Sequence, residues 1–558
     1  MTCKLIRLLL ISLTLHTFII ESPQPARAAN PQPQRQSAQK KKIVKELQLL
    51  DRAWILRNSP MSKKLAMFEQ LQIDLETQNH TTQNQSRIML AQSLLLISEP
   101  ETQIAAAERL AQAARLAPLK LNPQAAQLIW NEFLIRIKGK NAIAMNALAD
   151  VAQALATSQL VAIDARQSFY LALSFERAGR RKDALAIYEK IEPSCEFYRQ
   201  AKLHEGLIAV REGLLQRGKS ALEVVVSVET TEAETKAKIS AETLVDLKER
   251  AVLNLARLLF ENNDFKESLS LYRSIDAQSP LFYESLSEQG WAFFMAGHPN
   301  RALGLTYGAT SPHFNQQFQP DQYFLNAAVN YWLCDFIAAR RSIQAFVTHT
   351  REDATLLRSW IASENNSVEY SEKAMNERAF KVVEGLAHGV SSTNSLLGPR
   401  GLQSLGRKTV LMNGISSLDE QRKQRLNILK NPWPVRSKKT IIDSFLQVEA
   451  REQVRLGELA LAMIRTMRTD YERALTQIRM INLEIMTAEK DKVLGNERTA
   501  QGQQFLGSEN DFLESTNRPT RLWDDSKREF WKDELDSFVF TKKSQCQLNK
   551  EEKQHAER

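Results

Sequence analysis

The residue types that most often carry enzyme chemistry are thinly spread in this sequence of 558 residues. It has no HExxH, GxSxG, Walker-loop, CxxC or EF-hand pattern, and no two of its eight histidines have metal-ligand spacing on one helix face. Glu284 and Ser285 are adjacent, but they lie in a stretch with helical periodicity, where a structural role is expected. The sequence therefore predicts no catalytic residue, no metal site and no cofactor, and the protein is predicted not to be an enzyme.

The basic residues offer a binding chemistry instead. The net charge is +9, and residues 400–439 hold ten basic side chains against only Asp419 and Glu420. Such a cluster attracts phospholipid head groups, lipopolysaccharide or acidic proteins over about 10 Å. A solvated basic linker would have the same composition, so this alternative stays open. No nucleic acid and no small-molecule substrate are expected. The predicted basic patch comprises Arg422, Lys423, Arg425, Lys430, Arg436, Lys438 and Lys439.

The first residues have the features of a secretory signal peptide. Lys4 and Arg7 precede an apolar run of 13 residues, and a small-residue cleavage site ends at Ala28. The apolar run is shorter than the roughly 20 residues of a membrane-spanning helix. We expect residues 1–28 to be a signal peptide and residues 29–42 to be a flexible basic tether. The mature protein is then expected in the periplasm, with association with the outer membrane left open.

Cysteine usage fits an exported chain without a disulfide framework. After removal of the expected signal peptide, Cys195, Cys334 and Cys546 remain. Three cysteines allow one disulfide and one free thiol, or three isolated thiols in the apolar core. The sequence leaves these alternatives open.

Glycine and proline are scarce, with 19 and 17 residues, which favours helices over folds that need many turns. Apolar residues recur at i, i+3, i+4 and i+7 over much of the chain, and prolines fall at the junctions. We therefore predict an all-α fold. Its predicted divisions after the tether are degenerate helical repeats over 43–161, a repeat array over 162–350, a helical extension over 351–399, a basic loop-rich segment over 400–439, a long helix or helical hairpin over 440–494, a linker over 495–520, and an aromatic C-terminal motif and tail over 521–558.

The most specific signal is a 34-residue repeat in the middle of the chain. Each copy has a small residue on a first helix, then a turn residue, then a small residue on a second helix. A step of 50 residues separates Gly206 from Ala256, and we expect the extra residues, within 229–242, to lengthen one helix. A step of 37 residues leads from Gly290 to Ala327. The three positions are occupied by Ala172, Gly179 and Ala184; by Gly206, Gly213 and Gly218; by Ala256, Asn263 and Ser268; by Gly290, Gly297 and Ala302; and by Ala327, Cys334 and Ala339.

This register, which begins in FYLALSFERAGRRKDALAIYEKI, resembles that of tetratricopeptide repeats over about residues 162–350. The resemblance implies a solenoid of helical hairpins whose first helices form a groove for an extended peptide or a partner helix. Aromatic side chains are concentrated in the last two repeats, and Trp291 and Trp332 are the strongest candidates for binding. Alternatively, flanking helices of the same chain cover this surface. The resemblance places in the groove Phe169, Leu173, Leu203, Leu207, Arg257, Phe260, Trp291, Phe294, Met295, Phe324, Tyr331 and Trp332.

Three motifs look like those of envelope tetratricopeptide proteins from gliding or predatory deltaproteobacteria: GWAFFMAGHPNRALGL, SPHFNQQFQPDQYFLNAAVNYWLCDF and FWKDELDSFVFTKKSQC. This resemblance implies a non-enzymatic exported scaffold that binds other envelope proteins in assembly of a cell-envelope complex, with motility or secretion as candidate processes. Two alternatives stay open: a peptidoglycan or polysaccharide enzyme or its regulator, and a peripheral binder of anionic envelope surfaces. The aromatic tail is expected either to cap the solenoid or to attach a partner.

Overall fold

The fold is all-α apart from one pair of two-residue strands, over the residues that the structure describes. The predicted signal peptide, the tether and the linker over 495–520 lie outside those residues. Two compact units are present: unit 1 combines Met1–Ala201 with Asn413–Gln453, and unit 2 combines Lys202–Met412 with Val454–Arg558. The computed structural model describes residues 48–139, 141–156, 163–314, 320–365, 372–387, 409–493, 521–522 and 534–544.

Unit 1 begins as a succession of helices whose ends are set by prolines and capping side chains. Asn122 accepts a hydrogen bond from the backbone N–H of Ala125, and Pro123 takes the first helical position after it. Asp164 accepts one from the N–H of Gln167 in the same way. After a helical stretch over residues 48–56, the helices are α1 (Met61–Thr77), α2 (Thr82–Leu96), α3 (Gln103–Leu116), α4 (Pro123–Arg136), α5 (Ala142–Ala156), α6 (Ala165–Arg177) and α7 (Arg181–Tyr188).

Unit 2 contains most of the predicted repeat array. The two strands pair in parallel, with Arg521 opposite Phe538. None of the helices among the described residues is long and apolar enough to cross a membrane. The elements are α8 (Tyr198–Arg211), which starts in unit 1, α9 (Leu215–Ser227), α10 (Glu232–Lys236), α11 (Ala241–Glu261), α12 (Phe265–Arg273), α13 (Phe282–Met295), α14 (Pro299–Ala309), α15 (Pro320–Trp332), α16 (Phe336–Asn365), α17 (Glu372–Ala387), β1 (Arg521–Leu522) and β2 (Phe538–Val539).

All five predicted turn residues have a left-handed backbone, and this confirms the helical-hairpin register. In the first hairpin, the N–H of Gly179 donates to the carbonyl of Glu176, and the N–H of Arg180 donates to the carbonyl of Phe175 at 2.9 Å. This is the way in which a left-handed residue ends a helix, and the other four hairpins repeat it. The φ angles are 74° at Gly179, 77° at Gly213, 64° at Asn263, 89° at Gly297 and 57° at Cys334.

The small residues of the repeat are buried where paired helices touch. A Cβ atom on Gly206 would come within 2.8 Å of the Leu222 side chain and 3.3 Å of the Gly218 carbonyl oxygen. Ser268, the one polar residue at these positions, donates its hydroxyl to the Ala256 carbonyl at 2.8 Å. Small residues therefore let the two helices of a hairpin approach closely, as the repeat pattern predicts.

The insertion between the second and third hairpins differs in part from the prediction. It does lengthen a helix, because α11 has 21 residues whereas α8 has 14. It also forms the separate helix α10, which the sequence analysis did not predict. Thr231 and Glu234 form a reciprocal capping box there, and this starts a new helix instead of extending an old one.

The described helices that follow α17 are α18 (Thr409–Lys430) and α19 (Val435–Val493), and a boundary between the units falls within each of them. The prediction of a loop-rich segment over 400–439 is wrong for the residues of α18 (Thr409–Lys430). Leu411, Ile415 and Leu418 are buried along one face of α18, and the basic residues beside them obscure this periodicity. The long segment that follows is the single helix α19 (Val435–Val493) and not a hairpin.

Candidate partner-binding surface

The first helices of the hairpins in unit 2 keep two positions partly open. Residues one and four places after the small residue are at least partly exposed in every one of these hairpins. Leu207 is 37% exposed, and Met295, one place further along α13, is 46% exposed. Because the small residue itself is buried in each case, the helix presents one face to its hairpin partner and an adjacent face outwards. The exposed and half-buried residues at these positions are Leu207, Val210, Arg257, Phe260, Trp291, Phe294, Ala328 and Tyr331.

Aromatic side chains join the surfaces of α13 and α15. The rings of Trp291 and Phe324 lie 5.4 Å apart at an interplanar angle of 36°. Trp291, Phe294 and Trp332 all pack on one apolar core from α13, α14 and α15 while staying partly exposed. An aromatic ring that packs on a core with one side and is exposed on the other has a fixed conformation and an accessible apolar surface. Trp291 and Trp332 thus lie on a partly exposed surface of unit 2.

Two predicted groove residues belong to the core instead, and their assignment to the groove is wrong. Phe169 is fully buried because it stacks on Phe197 with a ring-centre distance of 4.6 Å. Leu203 is 4% exposed and packs with Leu247. Leu247 lies in the part of α11 that the insertion lengthens, so the extra turns cover the first helix of the second hairpin. Leu173 is half-buried in unit 1.

Arg257 lies at a groove position, but acids of the same chain hold its guanidinium. Its Nε and Nη2 donate to Glu288 at 2.9 and 2.6 Å, and Nη2 also lies 3.3 Å from Glu284. Burial acts to lower the pKa of Arg257, but Glu288 and Glu284 outweigh it and raise the pKa above the usual value. Ser285 is buried and donates to the Tyr272 carbonyl at 2.7 Å. Glu284 and Ser285 therefore have structural partners, which fits the structural role expected for them.

The chain's own helix α19 contacts part of the predicted surface. Ile481 and Ile485 form a buried cluster with Ala327 and Ala339, and Phe324 and Tyr331 pack against that cluster. Burial and a hydrogen bond to Glu484 raise the pKa of Tyr331. At the fifth hairpin, a helix of the same chain therefore covers part of the predicted binding surface. The apolar residues of α19 recur every three or four places. The sequence therefore indicates that this helix has an apolar face, but not which residues that face contacts.

The predicted basic patch is largely paired inside unit 1. Arg425 donates through Nε to Glu449 at 2.6 Å, and Arg436 lies 3.4 Å from Glu76. Arg422 pairs with Asp419 at 3.4 Å. Lys438 donates to the Leu429 carbonyl at 3.3 Å. The exposed lysines that remain are Lys423, Lys430 and Lys439.

The C-terminal residues 534–544 pack against α14 within unit 2. Leu535 is fully buried and Phe538 is 6% exposed, and both join the core formed by α13, α14 and α15. The backbone of this segment lies directly on Gly304 and Gly308 of α14, where any Cβ atom would overlap it. Of the two alternatives for the tail, these residues support packing on the repeats. The tail residues Trp523, Phe530 and Trp531 lie outside the described residues.

A partly buried carboxylate on α15 interacts electrostatically with charged residues of α19, and its titration makes the stability of unit 2 depend on pH. Burial, and then the nearby Asp470, raise the pKa of Asp321 to about 6, while Arg473 partly opposes them. The folded protein therefore binds a proton more tightly than the unfolded chain does, and stability falls as pH rises from about 4 through 6. We expect Asp321→Asn to be more stable than the wild type at pH 7.5, by up to about 3 kcal/mol.

Urea unfolding at pH 4 and at pH 7.5 checks this prediction. The difference in stability between the two proteins should be much smaller at pH 4, where Asp321 is protonated in the folded wild type and only about half ionised in the unfolded chain. Asp264→Asn serves as a carboxylate control in the same unit, because Asp264 is the residue that directly precedes α12. A stability difference that does not change between the two pH values would contradict the assigned titration.

No group of three or more histidine, cysteine or acidic side chains that could hold a metal exists among the described residues. No protein-family model matches the chain, and the search of curated proteins finds no match. The helical hairpins and the surface of α13 and α15 are therefore the features that bear on function.

Proposed function

We propose that this protein is a non-enzymatic exported scaffold of the tetratricopeptide-repeat class. It binds a segment of a partner protein on the surface formed by α13 and α15, and it acts in assembly of a cell-envelope complex. The signal-peptide pattern supports export to the periplasm. Cys334 is disulfide-bonded, which also favours an oxidising compartment.

The observation that carries the proposal is the apolar surface around Trp291. Phe294 is half-buried beside it and Met295 is 46% exposed, and the rings are held on a packed core. Supported aromatic side chains of this kind contribute about 2 kcal/mol or more at interface hot spots. Tetratricopeptide hairpins use this face of their first helices for extended peptides or partner helices, which matches the position of these residues in the repeat.

The double variant Trp291→Ala/Met295→Ala is expected to lose the partner. Removing about 2 kcal/mol of binding free energy corresponds to roughly 30-fold weaker binding. Capture of the tagged mature protein from envelope extracts, with each captured protein quantified, measures the loss. Ile337→Ala is the matched control, because Ile337 is 69% exposed on the second helix of the fifth hairpin. A partner profile that the double variant leaves unchanged would remove this surface from the proposal.

A second candidate function is supported by the residues at the end of α18 and the start of α19, which belong to unit 1. Leu426, Leu429 and Val435 are 50%, 45% and 81% exposed there, close in sequence to the exposed Lys430 and Lys439. Exposed apolar side chains flanked by lysines suit an anionic lipid surface, to which each lysine contributes about 1 kcal/mol.

Sedimentation with vesicles tests this second candidate. Neutralising Lys423, Lys430 and Lys439 to glutamine is expected to weaken binding to phosphatidylglycerol vesicles by roughly 100-fold. The control neutralises Lys120, Lys182 and Lys190, which are exposed elsewhere in unit 1 and should have a smaller effect. Equal binding to neutral and anionic vesicles by the wild type would contradict the lipid assignment.

A further inference from the structure

The C-terminal segment, residues 534–544, lies on the fourth and fifth hairpins as a bound peptide lies on a receptor. Both hairpins contribute contacts, and these involve the backbone of the segment as well as its side chains. We propose that α14, the end of α15 and the turn after it form a peptide-binding site for the pattern Leu-x-x-Phe-x-x-x-Lys, and that the C-terminal segment is its replaceable ligand. In this chain the pattern consists of Leu535, Phe538 and Lys542. A segment of a partner protein with the same pattern is the competing ligand.

Asn300, near the start of α14, binds the backbone of the segment. Its side-chain amide donates to the Lys542 carbonyl at 3.1 Å and accepts from the Lys542 N–H, also at 3.1 Å. The Asn300 carbonyl accepts a further hydrogen bond from the N–H of Phe540 at 3.2 Å. An amide side chain that pairs with both backbone polar groups of one residue fixes the position and the direction of a chain, whatever side chains that chain carries. Asn300 therefore recognises a peptide backbone as such.

Two glycines of α14 let the backbone of the segment lie directly against the helix. A Cβ atom on Gly304 would overlap the carbonyl group of Phe538, and one on Gly308 would overlap that of Leu535. This close approach brings both apolar side chains into the core, where Leu535 is fully buried and Phe538 is 6% exposed. The Tyr307 ring meets the Phe538 ring edge-on, with a ring-centre distance of 5.8 Å. The site therefore selects two apolar side chains three residues apart.

The Lys542 ammonium binds two acceptors whose orientation is set by other bonds. It donates to Asn330 Oδ1 and to Asp335 Oδ2, each at 2.8 Å. Asn330 is 3% exposed, and its Nδ2 donates to the backbone and side-chain oxygens of Asn326, both at 2.8 Å, so that Oδ1 is directed at the lysine. The other carboxylate oxygen of Asp335 accepts from the N–H of Ala338 at 3.0 Å. Both acceptors are thus held in place by residues outside the C-terminal segment, which is the property of a preorganised binding site.

These two acceptors distinguish lysine from other side chains. Burial acts to raise the pKa of Asp335, but the hydrogen bonds from Lys542 and Ala338 outweigh it and lower the pKa below its usual value. An uncharged side chain in place of Lys542 would leave the buried Asn330 oxygen unpaired and would remove a cation from the Asp335 carboxylate. An arginine would present a planar fork where the two acceptors converge on one compact ammonium group. The site is therefore expected to prefer lysine to both.

The extent of these contacts allows the segment to be exchanged. Leu535 and Phe538 are its two buried members of the apolar core, and its ion pair is partly open to solvent, with the side chains of Lys542 and Asp335 31% and 20% exposed. A short segment held in this way opens locally without unfolding of the helices beneath it. Because the segment belongs to the same chain, its effective concentration at the site is high. A competing segment therefore binds measurably when it is in excess or when the chain's own lysine is removed.

Binding of a labelled synthetic peptide with the sequence of residues 534–544 to the full chain tests the proposal. Fluorescence anisotropy should show that the peptide binds the Lys542→Ala chain at least about tenfold more tightly than it binds the wild type. The substitution weakens the competing segment of the chain and leaves the site itself unchanged. Lys543→Ala is the matched control, because Lys543 is the exposed neighbour of Lys542, and this chain should bind the peptide as the wild type does. Lys542→Gln, which keeps hydrogen-bond donors, should give a smaller gain than Lys542→Ala.

An altered peptide and an altered site test the specificity for lysine. The peptide that carries Lys542→Ala should bind the Lys542→Ala chain at least about tenfold more weakly than the original peptide does. Adding Asp335→Asn to this chain should weaken the original peptide and leave the altered peptide unaffected, whereas a general loss of structure would weaken both. Equal affinities of the two peptides for the Lys542→Ala chain would overturn the proposal. So would the absence of any gain over the wild type in both the Lys542→Ala and the Lys542→Gln chains.

Discussion

Gly304→Ala is expected to destabilise unit 2 by about 2–4 kcal/mol. Within a helix, alanine is more favourable than glycine by about 1 kcal/mol. Helix propensity alone would therefore predict that this substitution stabilises α14. Here a Cβ atom would overlap the carbonyl group of Phe538, and backbone cannot rotate away as the end of a side chain can. The C-terminal segment must therefore shift and expose Leu535 and Phe538. Urea unfolding followed by tryptophan fluorescence measures the change.

Gly290→Ala is the matched control for this experiment. Gly290 also lies inside a helix of unit 2, but its nearest neighbour is the end of the Leu325 side chain, at 3.0 Å from an added Cβ. That side chain can move by a few tenths of an ångström, so we expect a change within about 1 kcal/mol. If Gly304→Ala proved as stable as the wild type, the contact between α14 and the C-terminal segment would be disproved.

Glu108→Ala is expected to destabilise unit 1 by about 1.5–3 kcal/mol. The Glu108 side chain is completely buried, and its carboxylate binds Arg115 at 2.7 Å and also Arg451. Removal of the carboxylate leaves two guanidinium groups near each other without their shared anion. The loss also removes one of the contacts between α3 and the start of α19, whereas the hydrogen bond from Gln112 to Gln447 remains. Thermal unfolding by circular dichroism measures the effect.

Asp183→Ala provides the comparison for Glu108. Asp183 pairs with Arg180 at 2.7 Å in the same unit, but its side chain is 51% exposed. Exposed pairs contribute at most about 1 kcal/mol, so this variant should unfold close to the wild type. Equal losses for the two variants would mean that burial does not determine the value of the Glu108 pairs.

The helical hairpins could be predicted because their signal is local. A turn residue and two small residues recur within each copy, and the left-handed angle at Cys334 shows that the register holds even where glycine is replaced. The groove was predicted less well because exposure depends on neighbours outside the repeat. Leu203 has the right position but is covered by the lengthened α11.

The contacts of the C-terminal region could not be predicted, because the partners lie far apart in sequence. Gly304 and Gly308 are four residues apart on α14, and this spacing has no evident meaning until residues 534–544 are placed on them. The same holds for Glu108 and Arg451, which are 343 residues apart. A single sequence shows which residues are small or charged, but it does not show which distant residues they meet.

The position of Leu535 and Phe538 also determines the order in which unit 2 can fold. They complete a core whose other members lie between Leu269 and Leu333, so these hairpins keep an apolar face open while about 200 further residues are synthesised. Closing so long a loop is costly in entropy, but the cost grows only slowly with its length. Until the C-terminal segment is in place, the apolar face of α14 is open to aggregation.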